Sequence, residues 1–187
     1  MKKTVVLLSS LFATTVFADS SNVGVVSLDK VLTTSKPSTL LYNAVADKFA
    51  PVESQLSVMN SKLDGEESAL SILANQLKSN KNKPSEGLKK DFSSKYSAYL
   101  NDLQQFKQAY KEYKYAKEQV KDYANIEFFK QLNSISQDFS KTKQLSALVT
   151  DENFIYVDHA MDVTDSYIDA VNKKVDVTTV INQINKM

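Results

Sequence analysis

The residue best suited to acid–base chemistry or metal binding in this sequence is His159, the only histidine, which lies beside Asp158 and close to Asp162. A carboxylate next to an imidazole is typical of acid–base catalysis and of metal binding. Both functions need further groups, and the chain has no cysteine and no serine in a recognisable nucleophile motif. We therefore predict no catalytic residue, no metal ligand and no cofactor, and we expect that the protein is not an enzyme.

Two pairs of neighbouring carboxylates, Glu66–Glu67 and Asp151–Glu152, are the remaining acidic groups that could do chemistry. The first pair falls within a predicted helix, and the second falls within a predicted turn. A solvated position explains each pair without a functional role.

A binding surface is predicted between residues 96 and 123, where tyrosines alternate with lysines. Tyrosine offers a broad amphipathic surface, and lysine stems cover apolar groups while the ammonium group stays in water. Several of these aromatic residues lie on a regular helical stripe, so packing within the protein is the alternative interpretation for them. The candidates for contact with a bound protein are Tyr96, Tyr99, Lys107, Lys111, Lys114, Tyr115, Lys117, Lys121 and Tyr123.

The basic residues are unevenly distributed. All 23 are lysine, and without arginine the chain lacks the bidentate fork that usually recognises phosphate, so we do not expect a nucleic acid partner. Residues 78–121 hold eleven lysines against five acids, a local charge of +6, although the whole chain is close to neutral. One region is therefore basic and the rest acidic.

Two stretches of the chain follow a heptad pattern, which is typical of helices that pack along a coiled-coil seam. Between them lies a polar segment with Pro84 and Gly87, so we predict a long antiparallel helical hairpin over residues 37–140 with its tip at about 80–87. Pro51 lies within the first stripe without changing its phase, which predicts a kink in that helix and not its end. The stripes consist of Val45, Phe49, Val52, Leu56, Met59, Leu63, Leu70, Leu73 and Leu77, and of Tyr96, Tyr99, Leu103, Phe106, Tyr110, Tyr113, Val120 and Ala124.

The segments flanking the hairpin, residues 19–36 and 141–187, predict a small β-containing body. The β-branched run at 23–28 and the runs at 147–149 and 154–157 predict strands, with a hairpin turn at 150–153. A helix is expected over Thr164–Lys174, with Thr164 as its N-cap, and a second, similar helix in the tail. The fold class is therefore α+β.

So few strands bury little surface, and we expect the protein to oligomerise through this body. The oligomerisation candidates are Val23, Val25, Val26, Leu28, Leu148, Val149, Phe154, Ile155, Tyr156 and Val157.

The chain begins with Met1-Lys2-Lys3, continues with an apolar run and reaches Val16-Phe17-Ala18. This pattern predicts a signal peptide over residues 1–18, cleaved after Ala18. The run is too short and too interrupted for a membrane-spanning helix, so we expect a soluble protein outside the cytoplasm.

The order of these elements resembles the Skp/OmpH family of periplasmic chaperones. The residues that carry the resemblance lie at 23–32, where the chain reads VGVVSLDKVL, and at 148–173, where LVTD, FIYVD, DVTD and NK match the C-terminal strands and closing helix. The resemblance implies a homotrimer in the periplasm whose helical arms enclose a cavity.

From the same resemblance we expect an ATP-independent holdase that binds unfolded outer-membrane proteins in that cavity and prevents their aggregation. A transient contact with an anionic membrane or with lipopolysaccharide is left open. The alternative is an exported structural or adaptor coiled-coil protein that binds one fixed partner.

Overall fold

A computed structural model describes residues 22–79 and 85–187 of the chain. The predicted signal peptide and most of the predicted hairpin tip lie outside these residues. The elements are β1 (Val23–Val26), α1 (Leu28–Thr34), α2 (Lys36–Ser79), α3 (Glu86–Lys143), β2 (Ala147–Thr150), a 3-10 helix (Asp151–Asn153), α4 (Thr164–Lys174) and α5 (Thr178–Lys186). Two long helices on a small strand pair confirm the predicted α+β fold class.

Helix α2 is continuous over Lys36–Ser79. Pro37 lies in its first turn, where a missing N–H costs nothing because that amide has no partner within the helix. Pro51 removes one interior hydrogen bond, but the packed stripe continues across it and the helix does not end there, as predicted. The buried positions repeat the heptad: Leu41, Val45, Phe49, Leu56, Leu63, Leu70 and Leu73.

Helix α3 has defined ends. The side chain of Ser85 accepts a hydrogen bond from the Leu88 amide and caps the N-terminus, and Gln144 closes the C-terminus in the left-handed conformation with φ of 54°. Its buried residues all lie in the half near the body, where successive spacings of four interrupt the alternation of four and three. They are Val120, Ala124, Phe128, Leu132, Ile135 and Phe139. The main core therefore lies where the hairpin joins the body.

The sheet of the described chain has two strands. β1 pairs with β2 in parallel, with Val23 opposite Ala147 and Val26 opposite Thr150. The other edge of β1 is taken by the segment before α4, since the Val25 amide donates to the Met161 carbonyl and the Val163 amide donates to the Val25 carbonyl. Both edges of β1 are thus occupied within the chain.

The prediction of a strand at 154–157 is wrong for the single chain, as is the hairpin turn at 150–153. The residues after β2 form the 3-10 helix, and Phe154–Val157 follow without regular structure. β1 has no free edge for this segment, and the 3-10 helix at Asp151–Asn153 replaces the tight turn that would have folded it back onto β2.

The closing helices pack on the arm root. α4 matches its predicted bounds, but its N-cap position is Val163 and not Thr164. The Asp162 carboxylate accepts from the Thr164 amide in place of the predicted cap, while the Thr164 hydroxyl accepts from the Ser27 amide and ties α4 to α1. Tyr167 packs edge-on against Phe139 and hydrogen-bonds to Ser136.

Gly24→Ala is expected to destabilise the protein. A Cβ at this position would lie 2.7 Å from Leu145, 3.0 Å from Val163 and 3.2 Å from Leu148, so the packing around β1 must shift, which typically costs about 1–3 kcal/mol. The midpoint of urea unfolding measures this loss.

Gly65→Ala is the matched control for that substitution. A Cβ at Gly65 meets nothing within 4 Å, and Gly65 lies inside α2, so alanine should stabilise the helix by up to about 1 kcal/mol. Equal effects of the two substitutions would contradict the packing described for β1.

Candidate binding surface of the arm

One side of α3, which we call the flank, carries exposed apolar and basic side chains together. Tyr96 and Leu100 are 46% and 45% exposed, and Leu103 with Lys107 and Lys111 lines a shallow groove there. Helical spacings of three and four place these residues on one side of the helix. The flank consists of Tyr96, Leu100, Leu103, Lys107, Tyr110, Lys111 and Lys114.

The lysines of the flank hold their charge in solvent. Among residues 22–79 and 85–187, Lys107, Lys111 and Lys114 form no ion pair with an acidic side chain. Lys114 Nζ lies 5.9 Å from the centroid of the Tyr110 ring, a cation–π distance. The flank therefore offers positive charge beside aromatic surface.

The structure places other sequence candidates elsewhere. Lys117 lies within the seam between the helices, and Lys121 is 3.3 Å from Glu118 on the same helix. Tyr99 and Tyr123 are half-buried, and Tyr123 packs against the core cluster. Tyr115 is 67% exposed. Of the nine predicted residues, Tyr96, Lys107, Lys111 and Lys114 come together on the flank.

A polar tie joins α2 to α3 at the root of the arm. Glu53 Oε1 accepts from Lys117 Nζ at 2.6 Å and from Tyr113 Oη at 2.5 Å, and Tyr113 packs edge-on against Phe49. The hydrogen bond from Lys117, followed by that from Tyr113, lowers the pKa of the Glu53 carboxyl. The hydrogen bond to Glu53 in turn raises the pKa of Lys117. The tie therefore holds charged groups in a defined cross-helix register.

A second tie lies further out along the arm. Lys62 Nζ is 2.7 Å from Asp102 on α3 and 3.6 Å from Glu66 on α2. Hydrogen bonding to Lys62 is the main cause of a lowered pKa at Asp102. The sequence analysis did not identify Glu53 or Asp102. Glu66 and Lys117 are the polar residues that interrupt the two heptad stripes, and a polar residue at a seam position indicates a polar partner on the facing helix.

Acid is expected to release the Glu53 tie. The pKa of folded Glu53 lies below its unfolded value, so the tie stabilises the arm above the unfolded pKa of about 4.3 and its contribution is lost as the pH falls through the folded value. Glu53→Gln should lower the melting temperature at pH 7, and its difference from the parent should shrink as the pH falls below the unfolded pKa of about 4.3. Glu152→Gln, at an exposed position, is the control and should track the parent throughout.

The residues around His159 have structural roles. Asp158 accepts from the Ala160 amide, and Asp162 accepts from the Thr164 amide. The Thr164 hydroxyl, followed by the Thr164 amide, lowers the pKa of Asp162. Within the described residues no group of three or more His, Cys, Asp or Glu side chains could hold a metal ion. Asp158 and Asp162 therefore act as local backbone acceptors.

A second surface lies on the body, where apolar side chains of the segment after β2 face solvent. Phe154, Ile155 and Tyr156 are 46%, 107% and 78% exposed. Within the part of the chain that the structure describes, the amides of Ile155 to Val157 make no backbone hydrogen bond. Of the oligomerisation candidates, Val25 and Val26 are buried within the chain itself, whereas Phe154, Ile155 and Tyr156 are exposed to solvent.

The fold defines an α+β protein with a long helical arm on a small strand body, and one side of this arm carries the basic, aromatic flank. A protein-family model described as "Outer membrane protein (OmpH-like)" matches residues 22–171, so the chain belongs to the OmpH-like family. The family resemblance predicted from the sequence is thereby confirmed.

A solved structure supports the fold. The chain is similar to a candidate outer membrane chaperone (OmpH-like) from Caulobacter crescentus CB15, with a TM-score of 0.51 and 19% identity over 82% of this chain and 85% of that one. Comparison with curated proteins found no match. Among the described residues, no helix combines the length and apolar character needed to span a bilayer.

Proposed function

We propose that the protein is an ATP-independent holdase that binds unfolded outer-membrane proteins between helical arms and prevents their aggregation. The observation that carries this proposal is the flank, where three solvated lysines lie among exposed tyrosine and leucine side chains. An unfolded chain offers both apolar groups and carboxylates, and the flank matches both.

Weak contacts repeated along a surface suit this function. A single exposed charge pair contributes about 0–1 kcal/mol, and a buried methylene contributes about 0.8 kcal/mol. No single contact then fixes one sequence, while several at once hold an unfolded chain. Because exposed charges are screened by salt, binding should weaken as ionic strength rises.

We propose further that three copies assemble through the body. The support is the exposed apolar segment Phe154–Tyr156, in which the amides of Ile155 and Tyr156 make no backbone hydrogen bond within the described residues. Such a segment is suited to pairing with a strand of another chain, which supplies hydrogen bonds and covers the side chains. Assembly would bring several arms around one space and multiply the weak contacts of each flank.

The test is suppression of aggregation. The purified mature chain is mixed with a β-barrel outer-membrane protein diluted from urea, and light scattering is followed. Stoichiometric protein should suppress scattering at low salt. The Lys107→Gln, Lys111→Gln, Lys114→Gln triple variant should lose most of this protection, because it removes the charge of the flank.

The control is Lys141→Gln, Lys173→Gln, Lys186→Gln, which removes the same charge from exposed positions away from the flank. It should protect like the parent. If both triple variants behave alike, net charge and not the flank governs binding. A single co-purifying partner, with no suppression of aggregation, would favour the adaptor alternative.

A further inference from the structure

Helix α5 follows residue 171, where the family match ends, and packs on the root of the arm. Ile184 is fully buried and Val180 is 5% exposed, and both belong to the same core cluster as Leu41 of α2 and Phe128 of α3. The Gln131 side chain of α3 donates to the Asp176 carbonyl at 3.0 Å, at the start of α5. Helix α5 therefore contacts both helices of the hairpin, α2 and α3, at the root of the arm.

The position of α5 matters because the arm is a long lever. Beyond Phe49, the last α2 residue in the core cluster, α2 continues to Ser79, which at about 1.5 Å per residue projects roughly 45 Å. A rotation of about 5° at the root moves the far end by roughly 4 Å. Small differences in packing at the root therefore decide how far the arms spread.

The remaining root contacts leave room for such a rotation. Just beyond the core, Pro51 interrupts the backbone hydrogen bonds of α2, and the Glu53–Lys117–Tyr113 tie is polar and partly exposed. The apolar contacts of Val177, Val180 and Ile184 lie on the body side of this weak point. They hold α2 and α3 together where the lever begins.

We propose that α5 is a clamp that sets the angular freedom of the arm, so that its release widens the range of arm positions without dissolving the body. The body keeps its own contacts when α5 leaves, since α4 is joined to α1 and α3 through Thr164, Asp165 and Tyr167. The clamp is a property of the free protein and requires no bound client.

Ile184→Asp tests the clamp, because a charge at a fully buried position should detach α5. The chain lacks cysteine, so spin labels can be placed at Ser94→Cys on α3 and Asp169→Cys on α4, both exposed. Labelled chain is diluted with unlabelled chain so that one copy per assembly carries the pair. The width of the distance distribution should increase about 1.5-fold or more, while amide exchange in α5 rises at least about tenfold.

Asn182→Asp is the matched control, since it adds the same charge at an exposed position of α5, and it should leave the distribution narrow. The clamp is overturned if α5 amides exchange quickly in Ile184→Asp while the distance distribution matches that of Asn182→Asp. If Ile184→Asp also loses protection from amide exchange in α4, the substitution has disturbed the body. The distance distribution and the amide exchange are then measured on Ile184→Ala, which removes volume without adding charge. The proposed holdase function can fail in the scattering assay without affecting this outcome.

Discussion

Ile155→Asp is expected to convert the proposed trimer into folded monomers. In the single chain Ile155 is completely exposed, so aspartate removes no contact within the protomer. In an assembly that covers Phe154–Tyr156, each copy would bury an unpaired charge, at a cost of several kcal/mol. Sedimentation velocity should report the change in mass, and circular dichroism should report unchanged helix content.

The control for this substitution is Ile72→Asp. Ile72 is also exposed, at 59%, but it lies far along α2 and away from the body. The variant should keep the mass of the parent. A parent protein that is itself monomeric, or an Ile155→Asp variant that remains assembled, would contradict the proposed interface.

Shortening the arm is expected to weaken client protection strongly and leave the assembly intact. The cross-helix contacts of Glu53 with Lys117 and of Lys62 with Asp102 place Leu56 about opposite Tyr110. Replacing residues 57–109 with a short glycine-containing turn therefore preserves the root while removing four of the seven flank residues, Tyr96, Leu100, Leu103 and Lys107. The amount of protein needed to suppress scattering should rise by at least about tenfold, because the repeated weak contacts are lost.

A milder excision separates arm length from the flank. Replacing residues 71–95 with the same turn joins Leu70 to Tyr96, which the same register places opposite each other, and retains the flank. This variant should keep partial protection. Equal loss in both variants would assign client binding to the outer part of the arm, and loss of assembly in either would contradict oligomerisation through the body.

The arm was predictable because its signals are local and periodic. The heptad at Val45, Phe49 and Leu56 gives the buried face of α2, and Ser85 marks the start of α3. The second stripe also predicted two core residues of α3, Val120 and Ala124. In each case one helix face decides burial, so sequence spacing carries the information.

The body was less predictable because strand formation depends on a partner. The run Phe154–Val157 has the composition of a strand, yet β1 has no free edge for it, and a 3-10 helix takes the place of the turn that would have returned it to β2. For the same reason, the sequence could not assign Lys117 to a tie. Its partner Glu53 lies on another helix, and the stripe alone does not define which residues of α2 and α3 face each other.

The parallel pairing of β1 with β2 has a consequence for the order of folding. Val23 can meet Ala147 only after the whole arm between them has been made, so the sheet has high contact order, whereas the arm closes through contacts near its turn. A chain that emerges from its N-terminus therefore forms the arm first and completes the body last. The proposed association through Phe154–Tyr156 would then begin only once each protomer is nearly complete.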